Sequence, residues 1–210
     1  MKLIGVYGGT FDPVHRAHVQ IAREILQHAG LDHVRMIPCY QSPFRDRPQS
    51  SDAARLAMLH LATDADAELV IDERELSRQD TSFTVDTLKE LKQEYPEDIL
   101  CLIVGDDAFA AFTRWHNWQE ILQLAHVLIA RRPGYADHID AEEQHLMDEN
   151  SVDDAQQLTS QSAGLIHLCP VTQLPISATA VRTALAQGEP INTDLDENVK
   201  HYIEENGLYQ

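Results

Sequence analysis

The sequence predicts an α/β fold: one doubly wound, Rossmann-like parallel sheet with helices on both faces, formed by residues 1–210 as a single domain. Three observations predict it. Strand-like and helix-like runs alternate along the chain, the pattern of a parallel sheet with crossover helices. The first apolar run passes directly into a glycine turn and a helix. No internal repeat or low-complexity linker divides the 210 residues, a length that supports a core without metal or disulfide help.

Leu3 to Tyr7 reads as a short buried strand. Gly8 and Gly9 end it and, lacking Cβ atoms, let a ligand approach the backbone. Pro13 suits a first helical turn, and Asp12 or Thr10 can cap it. From His15 to Ala29, Val19, Ala22, Ile25, Leu26 and Ala29 repeat at helical spacing, and Gly30 stops the run. Val34 to Pro38 is a second strand, followed by a Pro/Ser/Arg loop from Tyr40 to Ser51. Ser51-Asp52 can cap a helix carrying Leu56, Leu59 and Leu61. Glu68 to Ile71 is a third strand and Thr84 to Tyr95 a helix. Ile99 to Val104 is the fourth and most apolar strand, Val127 to Ala130 the fifth and Leu165 to Leu168 the sixth. Ligands of such a sheet bind at the carboxyl ends of its strands.

The chain carries a formal charge of −18. That argues against general nucleic-acid binding, which rests on neutralising phosphates with basic patches. A phosphate-handling protein of this balance must gather its cations locally. Arg45 and Arg47 share one loop, Arg131-Arg132 another, and Arg182 lies near the end. No Lys or Arg falls between Pro133 and Ala180, and the acid excess there reads as solvated surface. No run reaches membrane-spanning length, and the apolar stretch after Lys2 is too short for a signal peptide, so a cytoplasmic location is the expectation. Cys39, Cys101 and Cys169 form no C-x-x-C pair and sit at or near apolar runs, so they read as small core residues.

The string Gly8-Gly9-Thr10-Phe11-Asp12-Pro13-Val14-His15-Arg16-Ala17-His18 carries the chemistry. His15 and His18 are three apart, hence on one face of a first helical turn. A helix N-terminus presenting N–H groups and two imidazoles is an anion site suited to phosphate. A P-loop would need Lys-Ser/Thr after the glycines, and a dinucleotide fingerprint would need three spaced glycines. A zinc site could use Asp12, His15 and His18, but no further ligands stand at familiar spacing.

The eleven-residue string resembles the phosphate-binding signature of the nucleotidylyltransferase superfamily, and specifically that of the nicotinate-nucleotide adenylyltransferases, with Ala17 where that family usually has Gly. A second match is Ile176-Ser177-Ala178-Thr179-Ala180-Val181-Arg182. There Ser177 is a natural N-cap, and the family's corresponding helix holds the outer phosphates of ATP. The two motifs lie at opposite ends of the chain, so the likeness covers nearly all of it. Only the acidic stretch from Tyr135 to Ser162 matches nothing assigned.

The remaining candidates sit at strand ends. After strand two, Ser42-Pro43-Phe44-Arg45 offers Arg45 to a substrate phosphate, with Phe44 where the family carries histidine; a surface arginine is the alternative. After strand three, Asp72 to Arg78 leads into Thr81-Ser82-Phe83-Thr84. This is similar to the family's Ser-Tyr-Thr helix start, where Thr84 is either a carboxylate site or a plain N-cap. After strand four, Asp106 of Gly105-Asp106-Asp107 is a ribose ligand or a helix cap. In Arg114-Trp115-His116-Asn117-Trp118 a tryptophan can stack on a flat heteroaromatic ring or pack on the core. The resemblance assigns Trp115 to the pyridine and the backbone near His116 to its carboxylate.

What the resemblance implies is attack of a mononucleotide phosphate on the α-phosphorus of ATP, with nicotinate mononucleotide as acceptor. The nucleophile is already an anion, so positioning and charge stabilisation suffice. His15, His18 and Arg182 would be catalytic. Gly8, Gly9, Thr10, Phe11, His18, Asp106, Ser177, Thr179 and Arg182 would hold ATP; Arg45, Thr84, Trp115 and His116 would hold the acceptor; and Mg²⁺ would bridge phosphates. No residue is assigned as a direct metal ligand. Nicotinamide mononucleotide or phosphopantetheine as acceptor, and a non-catalytic nucleotide sensor, are the alternatives. Neither nucleic acid nor membrane is an expected partner, and a homo-oligomer stays open.

Overall fold

A computed structural model describes residues 1–131, 140–191 and 194–210. Seven strands, all parallel, form one sheet in the order β3-β2-β1-β4-β5-β7-β6. The strands are β1 (Leu3–Gly9), β2 (His33–Pro38), β3 (Leu69–Ile71), β4 (Ile99–Gly105), β5 (His126–Arg131), β6 (Ser151–Val152) and β7 (Ile166–Pro170). The helices are α1 (Arg16–His28), α2 (Asp52–Thr63), α3 (Arg74–Arg78), α4 (Thr84–Glu94), α5 (Asp106–Phe109), α6 (Trp118–Leu124), α7 (Ala141–Asn150), α8 (Ala178–Ala186) and α9 (Glu197–Glu205). The predicted doubly wound sheet is what forms.

Alternation along the strands divides the core into two layers. Val34, Met36, Cys101, Ile103, Leu128 and Cys169 face α1, α2 and α9. Ile4, Val6, Leu100, Leu102, Val127 and Ile166 face α4 and α6. The first six residues of β4 are all buried, as expected of a central strand covered on both faces. The chain winds outward from β1 to β2 and β3, then returns to place β4 on the other side of β1. This reversal opens a crevice at the carboxyl ends of β1 and β4, where ligands of such sheets bind.

Three expectations change. Helix α1 begins at Arg16, not at Pro13, because His15 is the N-cap and Asp12 is engaged elsewhere. A seventh strand, β6, lies in the acidic stretch; its two residues pair only with β7 and have no apolar run to announce them. That stretch is also not wholly solvated surface. Glu143 of α7 is buried and accepts from the Thr113 amide at 3.2 Å and its hydroxyl at 2.7 Å. Arg132 and residues 133–139 lie outside the described residues. Among the described residues no helix is long and apolar enough to cross a membrane.

Candidate active site

The crevice is an open cavity of about 1280 Å³, lined by β1, the turn after it, the 42–49 loop, the start of α4, the 105–116 segment and the start of α8. It exceeds the roughly 300–1,000 Å³ of a single small-molecule site, which leaves room for two ligands side by side.

Its floor is the turn 8–18. Gly9 lies so close to the buried Phe11 ring that a Cβ would sit 2.9 Å from it, whereas a Cβ on Gly8 would enter open space. The backbone reverses at Phe11, whose φ is +48°, rather than at either glycine. His15 and His18 then close the first turn of α1 as a reciprocal capping box. The His15 amide donates to His18 Nδ1 at 3.2 Å, and the rings stack with centroids 3.7 Å apart. Phe11 backs the His18 ring edge-on at 5.1 Å. Both imidazoles are therefore held by their neighbours and face the cavity.

Asp12 ties this floor to distant parts of the chain. Its carboxylate accepts from the amides of Gln49 (2.7 Å) and Ser50 (3.3 Å) and from the Tyr209 hydroxyl (2.6 Å). Its carbonyl accepts from Arg182 at 2.7 Å, which joins the two sequence motifs across the fold. Burial and the Asp12 carboxylate together push the Tyr209 hydroxyl far above its ordinary range. Beneath Thr10 lies Arg55, fully buried, donating to the Thr10 carbonyl at 2.7 Å and to Asp52. A guanidinium sealed from water must be paired, and here the pairing fixes the phosphate turn.

Helix α8 forms the facing wall. Ser177 caps it by accepting from the Ala180 amide at 3.2 Å, and Arg182 reaches back to Thr179 Oγ1 at 3.3 Å. Ser177, Thr179 and Arg182 all line the cavity with His15, His18, Gly8, Gly9, Thr10 and Phe11. Arg45 and Arg47 add two exposed guanidinium groups. An acidic chain thus concentrates cations and two helix N-termini on one opening.

The opposite end is aromatic. Trp115 packs on Phe112 at 5.6 Å and faces Phe44 at 6.5 Å; His116 lies over Phe83 at 4.5 Å. Thr84 is the first residue of α4 rather than its cap. The cap position is Phe83, whose side chain has no acceptor, so the leading amides of α4 carry no side-chain cap. Below them Glu75 accepts from the Thr87 hydroxyl at 2.6 Å, and burial raises its carboxyl above the ordinary glutamate range.

Asp106 stands apart from the other candidates. Its side chain is buried and pairs with Arg131 Nε at 3.0 Å, and it is the next residue, Asp107, that lines the cavity. The first residue of α5 turns inward and the second outward, a one-residue register the sequence does not reveal. Asp12 as a tie, Arg55, Asp107 and Tyr209 were also not assigned these roles from sequence. Arg55 had a signal: it occupies an apolar-face position with Met58 and Leu59 at i+3 and i+4.

Fold and cavity together define an α/β protein with the layout of a nucleotide-binding crevice, two helix N-termini facing one opening at the carboxyl ends of the strands. The chain matches the cytidylyltransferase-like family over residues 6–184. A Methylococcus capsulatus protein named "Probable nicotinate-nucleotide adenylyltransferase" is 40% identical over 208 residues, covering 99% of each chain. One of the same name from Hydrogenovibrio crunogenus is 41% identical over 209 residues, covering 100% of this chain and 98% of that one. The Plasmodium falciparum nicotinic acid mononucleotide adenylyltransferase, solved in complex with NaAD, shares the fold with a TM-score of 0.76. Its identity is 19%, over 100% of this chain and 98% of that one. The chain belongs to the cytidylyltransferase-like family and, within it, to the nicotinate-nucleotide adenylyltransferases.

Proposed function

We propose that the cavity transfers the adenylyl group of ATP to nicotinate mononucleotide, giving nicotinate adenine dinucleotide and pyrophosphate. One observation carries the reading: the stacked His15–His18 pair and the capped α8 helix with Arg182 converge on one cavity, joined through Asp12. The acceptor phosphate attacks the α-phosphorus as its bond to the α,β-bridging oxygen breaks, and pyrophosphate leaves with that electron pair. No proton has to move, so positioning and charge stabilisation carry the catalysis.

In this reading His15 and His18 stabilise the α-phosphoryl oxygens and the leaving group. Ser177, Thr179 and Arg182 hold the β,γ end, Gly8 and Gly9 let the nucleotide lie against the backbone, and Thr10 adds donors. Arg45 meets the acceptor phosphate, Trp115 its pyridine, and the amides near Thr84 and His116 its carboxylate. Asp107, which lines the cavity, is better placed than Asp106 for the ribose hydroxyls.

Mg²⁺ fits the donor set in one way. The carboxylates of Asp12 and Glu75 are spent on internal donors, leaving Asp107 and Asp46 on the cavity wall. That supply suits an ion held mainly by phosphates and water rather than by a protein cage. When bound, the ion neutralises phosphate charge.

Pyrophosphate release from ATP and Mg²⁺ tests the proposal, with nicotinate mononucleotide compared against its amide. Preference for the acid is expected. Amide-preferring turnover would keep the mechanism and overturn the acceptor; ATP binding without release from either would make the protein a sensor.

A further inference from the structure

On the face of the sheet away from α4, and outside the cavity, His28, His167 and Cys169 bring three metal-ligating atoms within 4.8 Å of one another. Among the described residues this is the one such group. It lies at the far end of α1 from His15 and His18. His28 is the last residue of that helix and is exposed; His167 and Cys169 are buried on β7, two apart and so on one face of the strand.

The imidazoles are arranged as a ligand pair. His167 Nδ1 lies 2.8 Å from the Val152 carbonyl, which can only accept, so Nδ1 carries the proton. A neutral His167 therefore presents the Nε2 lone pair, and that atom lies 3.2 Å from His28 Nε2. A backbone carbonyl on the far nitrogen is the arrangement that orients metal-binding histidines. Two nitrogens at about 2.0–2.1 Å from a tetrahedral zinc stand roughly 3.3 Å apart, close to the separation seen. His126 shows what a purely structural histidine looks like here. Its Nε2 contacts the Leu158 and Gln161 carbonyls and its Nδ1 accepts from the Leu165 amide, so its hydrogen bonds all go to backbone. The bland account of the pair is an N–H···N hydrogen bond between His28 and His167. It leaves the nearby thiol without a role.

We infer that His28, His167 and Cys169 form a binding site for a zinc-class divalent ion, with solvent in the fourth position, that pins the end of α1 to β7. Two imidazoles and a thiolate select a borderline-soft ion over Mg²⁺. Exposed His28 gives the entry path and can swing to meet the ion. Binding replaces the S–H proton of Cys169 with the metal and releases that proton to solvent. Cys169 is the small core residue the sequence predicts, and the proposed site adds a ligand role to it. None of the three residues lines the nucleotide cavity, so the site stands whether or not the proposed reaction does.

The test uses the full chain stripped with chelator. One equivalent of Co²⁺ should bring up a thiolate-to-cobalt charge-transfer band with tetrahedral ligand-field bands, both displaced by Zn²⁺. Zn²⁺ at about a hundredfold over its Kd should raise the Tm by roughly 5–10 °C, and Mg²⁺ should not. His28→Ala, at an exposed position that should not disturb folding, should weaken Co²⁺ and Zn²⁺ binding at least tenfold. Cys169→Ser should remove the charge-transfer band. Absence of that band at saturating Co²⁺, its persistence in Cys169→Ser, or unchanged affinity in His28→Ala would each overturn the site. Should Cys169→Ser not fold, the band and the His28→Ala affinity decide the matter alone.

Discussion

The two ends of the cavity are built in opposite ways. At the phosphate end Phe11, Asp12, Val14 and His15 are buried, and Asp12 alone holds three donors through its carboxylate and a fourth through its carbonyl. At the aromatic end Phe44 is 60% exposed, Arg45 and His116 are exposed, and the half-buried Trp115 ring rests on Phe112 and Phe44. The first end is ordered before any ligand arrives. The second presents an exposed loop to solvent. For a reaction that moves no proton this division is economical: groups that meet developing charge must be fixed in advance, because reorganising them would raise the barrier. Groups that merely sandwich a ring can order on binding, at a cost in affinity rather than in rate.

The division is tested most severely at His18. Replacing it by Ala removes a donor from the fixed end and should lower kcat by about 10²–10³-fold, in line with losing one preorganised charge-stabilising group. KM for the acceptor should change little. Single-turnover measurement of pyrophosphate release separates this from slow product loss. A loss appearing mainly in KM would mean that the phosphate end binds rather than catalyses.

Trp115→Ala should do the reverse. Stacking on a flat ring contributes about 1–3 kcal/mol, so the acceptor KM should rise about tenfold or more with kcat nearly unchanged. Phe44→Ala, at a side chain that is mostly in water, should leave stability within about 0.5 kcal/mol and raise the same KM only a few-fold. If Phe44→Ala instead matched His18→Ala in kcat, the aromatic end would be part of the fixed machinery and the comparison would fail.

The same division explains how much could be read from the sequence. The strands of the sheet core were legible because a strand buried on both faces is written as an unbroken apolar run, as in Ile99 to Val104. His15, His18, Ser177 and Arg182 were legible because cap chemistry is local and spacing places side chains on one face. Asp12 was visible as a cap or zinc-ligand candidate; its actual partners, at residues 49, 50 and 209, are up to 197 positions away. No periodicity encodes such a tie. The inward turn of Asp106 has a subtler cause. At a strand–helix junction one residue of register decides which carboxylate faces the cavity and which faces Arg131, and that register is set by packing beneath α5.

Glu75 lies beneath the start of α4, and gives the smallest effect and the sharpest sign. It is 6% exposed, lines the cavity wall near Ser82 and Thr84, and accepts from the Thr87 hydroxyl. Burial raises its carboxyl, against hydrogen bonds from Thr87 and Ser82 and the charge of Arg78, which pull the other way. The native state thus binds this proton more tightly than the unfolded chain does. Its stabilising contribution is complete below the ordinary glutamate range and is lost as pH rises through the raised value, because the folded protein must then ionise a buried group. Glu75→Gln keeps an acceptor for Thr87 and cannot ionise. Thermal unfolding of the two proteins across pH should coincide in acid and diverge toward neutrality, with the variant higher by on the order of a few °C. The opposite divergence, with the native protein gaining on the variant as pH rises, would mean that the glutamate is held as a stabilised anion by Arg78. The floor beneath the acceptor end would then be fixed by charge like the phosphate end, and the contrast between them would narrow to the exposed loop carrying Phe44.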